Sequence, residues 1–79
     1  MNEISPDEKM DLTGVACPAN AARALLKLEG MNPGSMLEII IDDGEPAENV
    51  PGAIEEEGHA ILSTRRYADN RWILLIKRM

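Results

Sequence analysis

The chain has 79 residues, enough for one modest hydrophobic core and too few for a second. A formal net charge of -6, with Lys and Arg scattered rather than gathered, argues against a phosphate-binding surface, so no directly bound nucleic acid is expected. A hydrophobic fraction of 44% with no Phe, one Trp and one Tyr points to an aliphatic core rather than to disorder.

Residues 1–8 are polar, contain Pro6 and show no periodicity, which reads as a flexible leader before a single domain over 9–79. Met10-Asp11-Leu12-Thr13 reads as a short strand closed by Gly14. From Pro18 the pattern turns helical: Ala21, Ala24, Leu25 and Leu28 mark one apolar face, and Asn20, Arg23 and Lys27 are expected on a polar one. Pro18 suits the first helical turn, and Gly30 followed by Asn32-Pro33-Gly34 ends the helix. Met36 to Ile41 reads as a central strand bounded by Asp42-Asp43-Gly44. Glu45-Pro46-Ala47-Glu48 reads as a turn or helical fragment, and a second helix is expected from Asn49, as its N-cap, to Gly58. Val50, Ala53 and Ile54 form its inner stripe, while Glu55-Glu56-Glu57 oppose the helix dipole. Ala60 to Tyr67 and Arg71 to Lys77 are two further strands joined by a hairpin turn at Ala68-Asp69-Asn70.

The order β-α-β-α-β-β predicts an α+β fold, a two-layer sandwich of a four-stranded mixed sheet with two helices on one face. Trp72, Leu74 and Ile76 alternate with Ile73 and Leu75 in the last strand. Whichever set packs on the helices, the other is apolar and faces outward, a candidate contact surface.

Cys17 is the only cysteine and Pro18 follows it directly. A thiol just before a helix lies near unpartnered backbone N–H groups and the positive end of the helix dipole, which favours the nucleophilic thiolate. Asn20, three residues on, has the spacing of a capping box, and its backbone N–H is a candidate donor to the sulfur. A lone cysteine is also commonly a small buried hydrophobe, and the pattern by itself leaves both readings open. One thiol cannot form an internal disulfide and no apolar stretch reaches membrane-spanning length, so a reducing, cytoplasmic setting without membrane contact is expected. One Cys and one His fall short of a zinc set, and Asp42-Asp43 reads as turn chemistry, so neither metal nor cofactor is expected. His59 reads as a structural histidine. Arg23 and Lys27 form a small basic strip, either a docking feature for an acidic partner or a solvated helix face.

Gly14-Val15-Ala16-Cys17-Pro18-Ala19-Asn20, Met31-Asn32-Pro33-Gly34, Asp42-Asp43, Asn49-Val50-Pro51-Gly52 and Gly58-His59 together resemble the TusA/SirA-type sulfur carrier family over residues 10–78. The resemblance implies the same β-α-β-α-β-β sandwich. It also implies that Cys17 accepts sulfane sulfur as a persulfide from a donor such as a cysteine desulfurase or rhodanese, then hands it to an acceptor protein. Pro18 would be the rigid start of the helix. Such a protein is a sulfurtransferase-like carrier rather than a stand-alone catalyst. The family hallmark is Cys-Pro-x-Pro, and Asn20 stands where its second proline would be. Two other readings of the same residues are a regulatory or protein-binding module that uses the open sheet face, and a redox sensor whose thiol is oxidised.

Overall fold

The computed structural model describes residues 6–16 and 18–79. Along the chain run β1 (Glu8–Asp11), α1 (Ala19–Glu29), β2 (Met36–Asp42), α2 (Glu45–Glu56), β3 (Ala60–Ala68) and β4 (Arg71–Lys77). The strands form one mixed sheet in the order β1-β2-β4-β3. β1 runs parallel to β2, and β4 is antiparallel to both β2 and β3. This is the α+β sandwich expected from the sequence.

Both helices lie on one face because the alternation of β2 and β4 offers only one fully apolar side. Leu37, Ile39 and Ile41 stand opposite Ile76, Leu74 and Trp72 in the ladder. The first five of these are buried against Ala24 and Leu28 of α1 and Val50 and Ile54 of α2, with Trp72 packed at the margin. Burying such side chains contributes about 1.5–3 kcal/mol each before entropy is counted. The other face carries Ile40, Ile73 and Leu75, and Ile73 is only 7% exposed. Ile73 lies opposite both Ile40 and Arg65, whose side chains cover it there, and Arg65 reaches Glu38 at 4.0 Å. The open face is therefore a partly covered surface rather than a bare apolar patch.

Three features differ notably from the sequence reading. β1 begins at Glu8, inside the span read as a leader, because Asp7 ties the strand down: its N–H donates to Met36 O, and its Oδ2 accepts from Met36 N, both at 2.8 Å. Residues 1–5 of that span lie outside the described residues. α2 begins at Glu45, four residues before the expected Asn49, with Pro46 in its first turn. Pro51 lies inside the helix and supplies no N–H, a defect worth about 3 kcal/mol in an isolated helix. Burial of Val50 and Ile54, with Ala47 packed beside them, outweighs it. The third difference is Asn20, which is fully buried, in line with Ala24 and Leu28 at i, i+4 and i+8, instead of lying on the polar face.

Candidate functional site: the loop leading into the first helix

Because β1 and β2 are parallel and each is followed by a helix, the N-termini of α1 and α2 lie at the same end of the sheet. The hairpin joining β3 to β4 closes that end, with Asp43 N donating to Asn70 O at 2.8 Å. The loop between β1 and α1 crosses here. It is fixed at its base by Leu12, 2% exposed, whose N–H donates to Ile40 O at 2.8 Å. Thr13 N then donates to Asp11 Oδ1 (2.9 Å), and Val15 N to Leu12 O (3.1 Å). Hydrogen bonding from Thr13 holds the Asp11 carboxyl below the ordinary value of 3.8.

Across the loop, Gly14 N donates to Asp42 Oδ2 at 2.7 Å. Gly14 has φ +80, a conformation strained for any residue with a side chain. Asp42 was expected to be turn chemistry only; it is instead the anchor that fixes the loop to the end of β2, and a contact spanning 28 residues leaves no local sequence signal. Asp42→Ala is expected to speed amide hydrogen exchange at Gly14, Val15 and Ala16 several-fold while costing only about 1 kcal/mol of stability. Unchanged exchange at these amides in the variant would show that Asp42 does not hold the loop.

Next to it, Asp43 Oδ1 accepts from Trp72 Nε1 at 2.8 Å, and this bond, with the Gly44 N–H, lowers the Asp43 pKa. Arg66 stacks over the Trp72 ring at 4.5 Å and reaches Asp43 at 3.9 Å. Gly44 (φ +88) then turns the chain into α2. This cluster ties the hairpin to the turn that leads into α2.

Cys17 lies outside the described residues. Ala16 and Pro18 on either side of it are both exposed. Pro18 is the N-cap residue of α1, one position earlier than a first-turn proline, and its carbonyl accepts from Ala22 N at 3.1 Å. The backbone N–H of Asn20, expected as a donor to sulfur, is instead given to Ala16 O at 3.1 Å. Its side-chain Oδ1 accepts from Ala21 N at 2.7 Å.

Arg23 is exposed on the outer face of α1 beside Leu26, which is 69% exposed. Lys27 is drawn aside by Glu8, at 3.2 Å, so the expected basic strip is divided. His59 stands before the first residue of β3, at the opposite end of the sheet from the loop. A nine-residue strand separates the two ends, roughly 25–30 Å. There His59 Nδ1 accepts from Met79 N at 3.2 Å, a structural tie to the C-terminal segment. An open hollow of about 260 Å³ lined by Asp7, Glu8, Gly30, Met31, Asn32 and Ser35 also belongs to that far end. Among the described residues, no group of three or more His, Asp or Glu side chains is placed to hold a metal ion. None of the described helices is long and apolar enough to cross a membrane.

The sequence profile of sulfurtransferase TusA matches residues 8–78, from the first residue of β1 to one past β4. This chain belongs to that family. Among its relatives, a protein of Archaeoglobus fulgidus named "Putative sulfur carrier protein" is 37% identical over 76 residues, 96% of this chain and 86% of that one. A Thermotoga maritima protein of the same name is 29% identical over 77 residues, 98% of each chain. YedF of Escherichia coli K12, also named for sulfur carriage, is 27% identical over 66 residues, 84% of this chain and 86% of its own. The matched span takes in every strand and helix of the sandwich.

Proposed function

We propose that this TusA-family chain is a sulfur carrier in which Cys17 alternates between thiolate and persulfide. The observations supporting it most are the family match over residues 8–78 and the relatives named as putative sulfur carriers. In the first step the Cys17 thiolate attacks the outer sulfur of a persulfide on the donor, a cysteine desulfurase or rhodanese-like protein. A new S–S bond forms at Cys17, the donor's S–S bond breaks, and the donor cysteine leaves as thiolate. In the second, a nucleophile of the acceptor protein attacks the same outer sulfur and Cys17 leaves as thiolate. No net redox change occurs, so neither step requires a cofactor. The leaving groups are thiolates, so a positive helix terminus and a low thiol pKa supply what a base would otherwise provide. A reducing cytoplasm suits a carrier with one thiol.

Incubation with a cysteine desulfurase and cysteine is expected to add one sulfur atom to the protein, removable by reductant. No gain in mass would favour a protein-binding module, and a gain of oxygen instead of sulfur would favour a redox sensor. The module reading also draws less support from the partly covered open face.

Docking is assigned to the outer face of α1, where Arg23 lies beside the exposed Leu26 and Lys27 contributes less because Glu8 engages it. Reversing the charge in Arg23→Glu is expected to slow association with an acidic donor several-fold at low salt, the difference fading as ionic strength rises. Equal rates in stopped flow at low salt would remove Arg23 from the docking surface.

A further inference from the structure

Charge is unevenly placed along the chain. Of the eight Lys and Arg residues, five lie in residues 60–79, the β3–β4 hairpin and the C-terminal segment, against a single acid there, Asp69. All the other Asp and Glu residues precede Ala60, so a basic hairpin is attached to an acidic body. β3 is one of the two edges of the sheet, nine residues long where the other edge, β1, has four. Among the described residues only β4 pairs with its backbone, which leaves the N–H and C=O groups on its outer side without partners. The register against β4 slips between Ile61 and Ser63 and again between Arg66 and Ala68, so Leu62 and Tyr67 are bulge residues, and both are exposed. Between them Ser63, Thr64, Arg65 and Arg66 form a regular, exposed run. Arg66 is held by Trp72, Asp43 and the Asp69 carbonyl. Arg65 is freer, with a side chain 68% exposed that meets Glu38 only at 4.0 Å.

We propose that the outer edge of β3 is a docking site for an extended, acidic segment of a partner protein, which adds to the sheet as a further strand beside residues 63–66. Backbone pairing supplies the affinity, the free charge of Arg65 selects the partner, and Leu62 and Tyr67 offer apolar contacts at the two ends. The bulges confine the regular ladder to the run between them, which suits a short segment rather than another full sheet edge. A second copy of this chain is disfavoured by the same residues, because antiparallel pairing of two β3 edges brings the arginines of one close to those of the other. An acidic segment meets them with opposite charge. The site is independent of the sulfur chemistry proposed for Cys17.

The probe is a short capped peptide with central glutamates flanked by valines, titrated into ¹⁵N-labelled wild-type protein. The amides of residues 62–67 are expected to shift and the exchange of the outward-facing ones to slow several-fold, with binding that weakens as salt rises. Methylating the backbone nitrogens of the peptide should abolish binding, since a ladder needs its N–H groups, and replacing its glutamates by lysines should do the same. Arg65→Glu is expected to bind about three- to tenfold more weakly at low salt. Should that variant not fold, the wild-type titration with the control peptides still decides. No shift at residues 62–67, shifts confined to the outer face of α1, or equal binding by the methylated peptide overturns the proposal. So does polyphosphate that moves the same amides as strongly, which would mark a site for charge alone, and so does a dimer in sedimentation whose β3 amides are protected without peptide. Sulfur loading is read separately by mass, so failure here leaves the carrier reading standing and failure to load leaves this site standing.

Discussion

Cys17→Ser is expected to abolish sulfur loading outright while leaving the thermal midpoint within a few degrees of wild type. The first half follows from nucleophilicity. A serine hydroxyl stays protonated at neutral pH and is a poor attacker of sulfur, whereas a thiol at a helix terminus is ionised enough to react. The second half follows from the path of the chain. Ala16 and Pro18 are exposed, and the loop is held by Leu12, by the Gly14–Asp42 bond and by the Asn20–Ala16 bond, none of which uses the sulfur. The two readings of a lone cysteine separate at this point. A sulfur that merely filled the core would make the serine variant lose several degrees of stability, and it would remove no loading, because the wild type would have none. A melting curve and an intact mass on the same two samples decide between them.

Ile39→Ala is expected to cost about 2–5 kcal/mol, the range for deleting most of a buried aliphatic side chain and leaving part of the cavity behind. A domain of this size has only about 4–12 kcal/mol of net stability, so the variant should melt at least about 10 °C lower and be partly unfolded when warmed. The position explains the severity. Ile39 is fully buried, faces Met10 across β1 and Leu74 across β4, and so joins the parallel and antiparallel halves of the sheet. Loading should fail in this variant as well, but in proportion to the unfolded fraction rather than through the chemistry. Truncating Leu26, exposed on the outer face of α1, supplies the contrast, with a midpoint close to wild type. Comparable losses in the two variants, followed by thermal melting, would contradict the assignment of the core.

The elements legible in the sequence were those whose signal is periodic and local. α1 showed itself through Ala24 and Leu28 and through Gly30, which closes it; β2 and β4 through largely apolar runs between turn residues. The start of α2 was not legible, because Pro51, read as an early residue of the helix, lies in its interior, where only tertiary burial of Val50 and Ile54 outweighs it. Asn20 was assigned to the wrong face for a related reason. A polar side chain among alanines suggests solvent, yet helix geometry places residue 20 in line with Ala24 and Leu28. Cys17 and Pro18 could be singled out as candidates from residue type and resemblance. Their surroundings could not, since Asp42 reaches Gly14 only through the parallel pairing of β1 with β2, and His59 is sent to the far end by the direction of β3. Long-range contacts of this kind follow from topology, which a local pattern does not encode.

The proposed carriage of sulfur depends on Cys17 being ionised and reachable from solvent. The most direct measurement is the rate of alkylation of the native protein by iodoacetamide as a function of pH. Complete modification without unfolding is predicted, with a midpoint clearly below the free-cysteine value of about 8.5. A thiol that reacts only after denaturation, or one whose midpoint lies at or above that value, would contradict it.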